Sequence, residues 1–318
     1  MKRLITAVVS LIVFGFVALF WWQNGLLPAN STDKTAKIFI VKNGEGVREI
    51  ANNLKKEGLI KDPIVFFLLA RQKGFDKQIQ AGDFRLNPSM NALEIAKTLT
   101  HGTLDIWVTI PEGVRAEEIA DILKNKIPTY KDSWRAELNK NEGYLFPDTY
   151  LIPKDADINL VISLLRNNFD SKYSTLNISQ NGLNKEQIVI IASLIEREAR
   201  YDKDRPLIGS VILNRLNIGM KLDIDATVQY ALGYQEDEKR WWKKNLTSED
   251  LKLKSPYNTY LVAGLPPTAI SNPGLQSIKA AINPAKTNYF FYMTDKNGVT
   301  HYAETIEEHN ANIKKYGL

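Results

Sequence analysis

Apolar positions along the chain change period several times, and each change predicts an element. An uncharged run from Leu4 to Trp22 comes first. As a helix, its roughly 19 residues are long enough to cross a bilayer core. Gln23 to Lys37 shows little periodicity and reads as a tether. Alternation from Ile38 to Val41 predicts a strand, Asn43-Gly44 a turn, and Val47, Ile50, Ala51 and Leu54 one face of a helix. A helix opened by Pro63, a short strand at Phe84 to Leu86 and a helix carrying Leu93, Ile95, Ala96 and Leu99 follow, the last ended by His101-Gly102. The same sentence is then repeated: a strand from Leu104 to Ile110, a turn at Pro111-Glu112-Gly113, and a helix from Ala116 to Leu123. FIVKNGEGVREIANNL and VTIPEGVRAEEIADIL therefore read as an internal echo of one strand-turn-helix unit.

Farther on, helical spacing covers Leu160 to Phe169, Leu183 to Arg200, and Pro206 to Leu216 with Gly219 just past its end. Met220 to Thr227 reads as a short extended piece, and Val228 to Leu232 as a helix. Glu236 to Lys244 is charged, with Trp241-Trp242 embedded, and reads as an exposed insertion or lid. Ser255 to Gly274 holds four prolines and two glycines among hydroxyl and amide side chains. A stiff polar loop of that kind presents hydrogen bonds at little entropic cost, as sugar or peptide recognition requires. A helix from Leu275 to Ile282, strands at Tyr289 to Thr294 and Val299 to Ala303 around Asn297-Gly298, and a closing helix complete the chain. The class is α+β.

The stretch LNKEQIVIIASLIEREAR, Leu183 to Arg200, is the most specified of these. Asn184 and Gln187 form a capping-box pair. At 100° per residue Ile188, Ile191, Ala192, Ile195 and Ala199 make one apolar stripe, with Glu196 about 80° to one side of it and Glu198 about 80° to the other. Two carboxylates thus sit at the margins of a buried helix, where spacing alone cannot separate a solvated helix end from a site.

Composition narrows the chemistry. There is no cysteine, which removes disulfides and thiolate catalysis, and the three histidines have no metal-ligand spacing. No metal or cofactor is expected. The net charge of +5 is modest and no basic stripe is interleaved with aromatics, so nucleic acid is a poor partner. Lys2 and Arg3 precede the apolar run and Trp21-Trp22 close it, which predicts a single-pass anchor with a cytoplasmic N-terminus. The bulky residues at its end argue against a cleaved signal peptide.

Several separated motifs together resemble the endolytic murein transglycosylase family (YceG-like, MltG type). They are EGYLFPDTY, IASLIEREA, VILNRLNIGMKLDIDATVQYALG, SPYNTYLVAGLPPTAISNPG and NYFFYMTDKNGVTHYAETIEEH, in that order. Two departures fall in loops: Asp225-Ala226-Thr227 in place of Asp-Pro-Thr, and Thr268-Ala269-Ile270 in place of Gly-Pro-Ile. The strand-turn-helix units resemble LysM domains. The resemblance implies a cytoplasmic stub (1–3), a transmembrane helix (4–22), a tether (23–37), a LysM-like module (38–103) and a mixed α/β catalytic domain (104–318) with a helix-borne glutamate outside the cytoplasmic membrane.

The implied reaction is non-hydrolytic cleavage of the MurNAc-β-1,4-GlcNAc bond of peptidoglycan, leaving 1,6-anhydro ends. Penicillin-binding proteins are implied partners. Carried onto this chain, the catalytic glutamate matches Glu196, with Glu198 as a supporting residue or alternative acid. Asp225, Tyr257, Asn258, Tyr260 and Asn272 are the implied substrate-positioning residues. One carboxyl can suffice, because the muramic acid 6-hydroxyl is a tethered nucleophile. An acid role asks for apolar surroundings at Glu196 and asks that Arg200, four residues on, turn away. The competing readings are a glycan-binding scaffold without chemistry, and a hydrolase with Asp225 as second carboxylate.

Overall fold

A computed structural model describes residues 2–100, 105–177 and 182–317, and within that range leaves the side chains of 2–9, 11 and 12 undescribed. The chain divides into two compact units, Met1–Ile106 with Pro153–Asp155, and Trp107–Ile152 with Ala156–Leu318. It is a mixed α+β protein, and its described strands form three two-stranded sheets.

In the first unit, helix α1 (Lys2–Leu26) leads to strand β1 (Lys37–Val41), helices α2 (Val47–Lys56) and α3 (Pro63–Gln72), strand β2 (Gly82–Leu86) and helix α4 (Ala92–Thr100). β1 and β2 pair antiparallel with Phe39 opposite Phe84. Period-two alternation sends Phe39 and Val41 inward and leaves Ile38 and Ile40 exposed. Ile50, Ala51 and Leu54 of α2 close the core over them. Asp62 caps α3 through Oδ1, accepting from the Ile64 and Val65 N–H groups, while its Oδ2 accepts from Trp21 Nε1. Trp22 and Leu26, at the end of α1, pack on this core. Among the described residues no helix is long and apolar enough to cross a membrane. The expected span Leu4 to Trp22 falls partly on the residues whose side chains lie outside the description, as do His101-Gly102 and Leu104 altogether.

Strand β3 (Asp105–Thr109) begins in the first unit and runs into the second, which carries helices α5 (Ala116–Lys126) and α6 (Trp134–Asn139), strand β4 (Thr149–Pro153) up to Ile152, and helices α7 (Ile158–Ser174) and α8 (Lys185–Glu198). Helices α9 (Arg205–Asn217), α10 (Asp225–Leu232) and α11 (Leu275–Ile282), strands β5 (Phe291–Thr294) and β6 (Thr300–Ala303), and helix α12 (Ile306–Tyr316) follow. β5 and β6 form the expected hairpin, closed where Asp295 accepts from the Gly298 N–H. α8 is the axis of this unit. Every residue from Ile188 to Ile195 is buried, and α9 and α11 pack against it. α10 begins at Asp225, three residues before the expected start, so that Asp225 stands at a helix N-terminus.

The charged insertion is not a free lid. Its charged positions 236–240 are exposed, but Trp242 is buried and donates to Glu118, and Trp241 donates to Asp121. The two indoles anchor the segment because each buries an apolar body while its N–H finds a carboxylate.

Candidate active site

α8 starts as its sequence predicts. Asn184 Oδ1 accepts from the Gln187 N–H and Gln187 Oε1 accepts from the Asn184 N–H, a complete capping box. Near its far end the stiff loop lies along it, with Ser193 Oγ accepting from the Ile270 N–H and Ser271 Oγ donating to the Ser193 carbonyl. Asn272 ties three segments together. Its Oδ1 accepts from the Gly143 and Leu145 N–H groups, and its Nδ2 donates to Glu142 and to the Val114 carbonyl.

The two glutamates leave α8 on opposite flanks, and their surroundings have little in common. Glu196 does not meet the apolar surroundings that an acid role asks for. Its side chain is 5% exposed; Oε1 lies 2.9 Å from Arg205 Nη1, and Oε2 accepts from the Gly274 N–H at 2.9 Å. Bonds of this kind occupy both carboxylate oxygens with partners from the protein itself. Arg200 does turn away, its guanidinium lying against Gly298, but Arg205 takes the place that the helix spacing assigned to Arg200. Glu112, from the Pro111-Glu112-Gly113 turn, stands on the other side of Gly274, where a Cβ would overlap its carboxylate. Burial pushes the Glu112 carboxyl up and the charge of Glu196 adds to this, against the pull of Arg205.

Glu198 faces a cavity of about 450 Å³ lined also by Arg215, Asp223, Asp225, Tyr260, Tyr292 and His309. Tyr292 donates to Glu198 Oε2 at 2.9 Å. Burial is the main force raising its carboxyl, to about 7, and the Asp225 charge adds to it; the Tyr292 hydroxyl, Arg197 and the Ala226 N–H oppose it. A carboxyl poised near neutrality, held by a tyrosine and opening on a polar cavity, suits proton transfer in both directions. The two settings differ: Glu198, bonded by Tyr292, opens on a polar cavity, and Glu196 is closed in an ion pair with Arg205.

The expected positioning residues divide as well. Asp225 and Tyr260 line the Glu198 cavity and are joined by a 2.6 Å bond from the tyrosine hydroxyl. Asn258 and Asn272 are fully buried and satisfied by the protein itself, Asn258 through the Leu251 and Leu253 carbonyls and the Tyr260 N–H. They shape loops rather than offer groups to a ligand. Tyr257 packs on the Tyr230 ring and bonds Thr268, away from the Glu198 cavity.

Glu112, Glu142, Arg205, Tyr292 and His309 had no expected role. Glu142 is buried, accepts from the Ala116 N–H at the start of α5, and is pushed up to about 8, mainly by burial. Glu112 and Glu142 each precede a glycine in a motif whose aromatic and turn residues draw attention first. Arg205 lies beyond the i+4 reach of a helix-wheel reading, and Tyr292 is 94 residues from its partner.

Comparison with known proteins agrees along nearly the whole chain. A model of the YceG-like family matches residues 39–315. An endolytic murein transglycosylase of Bacillus subtilis (strain 168) is 32% identical, with the match spanning 94% of this chain and 90% of that protein. One of the same name from Streptococcus pneumoniae serotype 2 (strain D39 / NCTC 7466) is 28% identical, over 97% of this chain and 65% of its own greater length. The crystal structure of a yceG-like protein from Listeria monocytogenes superposes with a TM-score of 0.55 at 28% identity, covering 87% of this chain and 99% of that one.

Proposed function

The chain belongs to the YceG-like family, and from that premise we propose that it is an endolytic peptidoglycan lytic transglycosylase with Glu198 as its acid–base group. The observation that carries the assignment is the placement of Glu198, bonded by Tyr292 at the wall of a cavity shared with Asp225 and Tyr260, and burial there raises its carboxyl. In its protonated form Glu198 gives its proton to the glycosidic oxygen of the departing N-acetylglucosamine as the bond to C1 of N-acetylmuramic acid breaks. The 6-hydroxyl oxygen of the same muramic acid closes on C1. Its proton passes to the Glu198 carboxylate, which restores the starting form. No water is consumed, and a 1,6-anhydro end is left. Because the nucleophile is part of the substrate, one residue can serve both steps. Asp225, oriented by Tyr260, presents a negative charge to the positive charge that develops at C1.

The same reading includes a membrane-anchored enzyme with its N-terminus in the cytoplasm and its catalytic domain (104–318) outside. The uncharged run in Leu4 to Trp22 supports the anchor, as do Phe14, Phe16, Val17, Leu19 and Phe20, each 60–74% exposed on α1. Residues 38–103 would then be a LysM-like module that holds glycan, and penicillin-binding proteins the neighbours in wall synthesis.

A hydrolase would need a second carboxylate such as Asp225 near Glu198, and the relatives named endolytic murein transglycosylase do not favour that alternative. Digestion of peptidoglycan by the full chain, with mass analysis of the products, separates the two. Anhydro-ended internal fragments are expected from wild type and Glu196→Gln, and none from Glu198→Gln. Ordinary reducing ends would mean hydrolysis, and undiminished cleavage by Glu198→Gln would remove that residue from the mechanism.

A further inference from the structure

A second groove lies in the catalytic unit, on the side of α8 from which Arg197 projects. Arg197 follows Glu196 and precedes Glu198, and its guanidinium stacks 3.8 Å from the centre of the Trp242 ring. Trp242 stands against Tyr230, with ring centres 6.5 Å apart. Arg115 lies over Tyr230 at 4.1 Å and over Trp241 at 4.9 Å, and Arg135 lies 5.6 Å from Trp241 on α6's side. Rings and guanidinium groups thus form one continuous ladder from the catalytic helix to Trp241.

At the end of that ladder is a cavity of about 560 Å³ lined by Asp121, Asn125, Arg135, Tyr234, Glu236 and Trp241, together with Lys124. Its chemistry differs from that of a protein core or a simple charged surface. Tyr234, 40% exposed, meets Trp241 edge to face at 5.1 Å, so two aromatic rings stand at an angle to each other in an open groove. Asp121 is engaged by Trp241 Nε1 and by Arg135, which fixes the floor. Asn125 and Glu236 are exposed, and their side chains make no hydrogen bond among the described residues. Aromatic faces suit the C–H faces of pyranose rings, and planar amide and carboxylate groups suit their hydroxyl and acetamido groups. The mixture of rings and free planar polar groups favours a neutral polyhydroxylated chain over a peptide helix, which would seek a continuous apolar trough.

We propose that this groove is a distal subsite for a β-1,4-linked N-acetylated amino-sugar strand, binding units several sugars away from the bond cleaved at Glu198. The proposal rests on the peptidoglycan reading of the Glu198 cavity, and it adds the reason the enzyme would prefer long strands. Binding energy gathered at a remote groove lowers KM for a strand that spans both places, and does nothing for a fragment that reaches only one.

The test compares the full chain with its Tyr234→Ala and Glu236→Gln variants on two substrates: intact glycan strands, and a short muropeptide-derived tetrasaccharide. Tyr234 is exposed and Glu236 unpartnered, so neither change removes a fold contact beyond one ring edge. Tyr234→Ala is expected to raise KM on long strands about tenfold while leaving kcat, and both constants on the tetrasaccharide, within twofold. A hexamer of β-1,4-linked N-acetylglucosamine, titrated by calorimetry, should bind wild type and lose about tenfold in affinity with Tyr234→Ala. Equal losses on both substrates would mark a structural residue and overturn the proposal. So would unchanged kinetics on long strands together with unchanged hexamer binding. Failure of the peptidoglycan reading would look different, because wild type would then give no anhydro ends from either substrate.

Discussion

The Arg205 guanidinium lies 2.9 Å from Glu196 Oε1, and neither side chain is more than 10% exposed. Arg205 also meets Ser277 and Asp202, so one cation gathers groups from α8, α11 and the turn before α9. Removing one partner of a buried pair leaves the other charge without compensation. Arg205→Met is therefore expected to destabilise the catalytic unit by about 3–5 kcal/mol, read from the urea midpoint. Arg205→Lys, which keeps the charge and loses the forked geometry, should recover part of that loss.

Glu198 should separate chemistry from folding. Glu198→Gln is expected to lower cleavage of peptidoglycan by about 10²–10⁴-fold, the usual contribution of a positioned proton donor, while the unfolding midpoint stays the same or rises. With the acid form required, kcat/KM of wild type should fall as pH rises through about 7, the value to which burial and Asp225 bring this carboxyl. Tyr292→Phe removes its hydrogen-bonded partner and should move that limb of the pH–rate profile upward, because the tyrosine hydroxyl favours the ionised form.

Stability should depend on pH in a direction opposite to that of most salt-bridged proteins. Glu198 and Glu142 are raised on folding from 4.5 to about 7 and about 8, so between those limits the native state holds more protons than the unfolded chain. Their contribution is fully present below about pH 4.5 and is lost as pH rises through 7 and then 8. Urea midpoints measured from pH 5 to pH 8.5 are expected to fall, and Glu142→Gln should flatten the upper part of the curve.

Gly143 is a steric test of how the stiff loop docks. Its φ is +86°, and a Cβ would come within 2.6 Å of the Ala269 Cβ and 2.7 Å of a Val189 methyl. Neither neighbour can swing aside, since one is a stub and the other is packed in α8. Gly143→Ala is expected to destabilise by about 2–4 kcal/mol, from strain at positive φ and overpacking together. Activity at saturating substrate should fall with it, because the Gly143 N–H is one of the two that hold Asn272.

Much of this architecture was legible in local patterns. The capping box of α8, the buried faces of α2 and α5, the alternation in β1 and the β5–β6 turn all depend on residues within about four positions of each other. The ordered motifs likewise pointed to the YceG-like family, whose model covers residues 39–315. The roles of the loop amides were less legible. Asn258 and Asn272 look like exposed donors in a polar loop, yet both are fully buried, since carbonyls of neighbouring turns consume their hydrogen bonds. The tryptophans of the insertion misled for a related reason: nothing near them in sequence announces that Glu118 and Asp121, on α5, receive their N–H groups.

The pair at the end of α8 marks the boundary most clearly. Helical periodicity alone determined that Glu196 and Glu198 leave a buried stripe on opposite flanks. It could not determine which of them carries the chemistry, because that follows from what faces each flank. Arg205 and Gly274 reach Glu196 from 9 and 78 residues away and occupy both of its carboxylate oxygens. Tyr292, 94 residues away, and Asp225 line the same cavity as Glu198, whose carboxyl is raised to about 7 mainly by burial and then by the Asp225 charge, against the pull of the Tyr292 hydroxyl. Burial and field are properties of the assembled fold, and they give different surroundings to two glutamates that the sequence could only place.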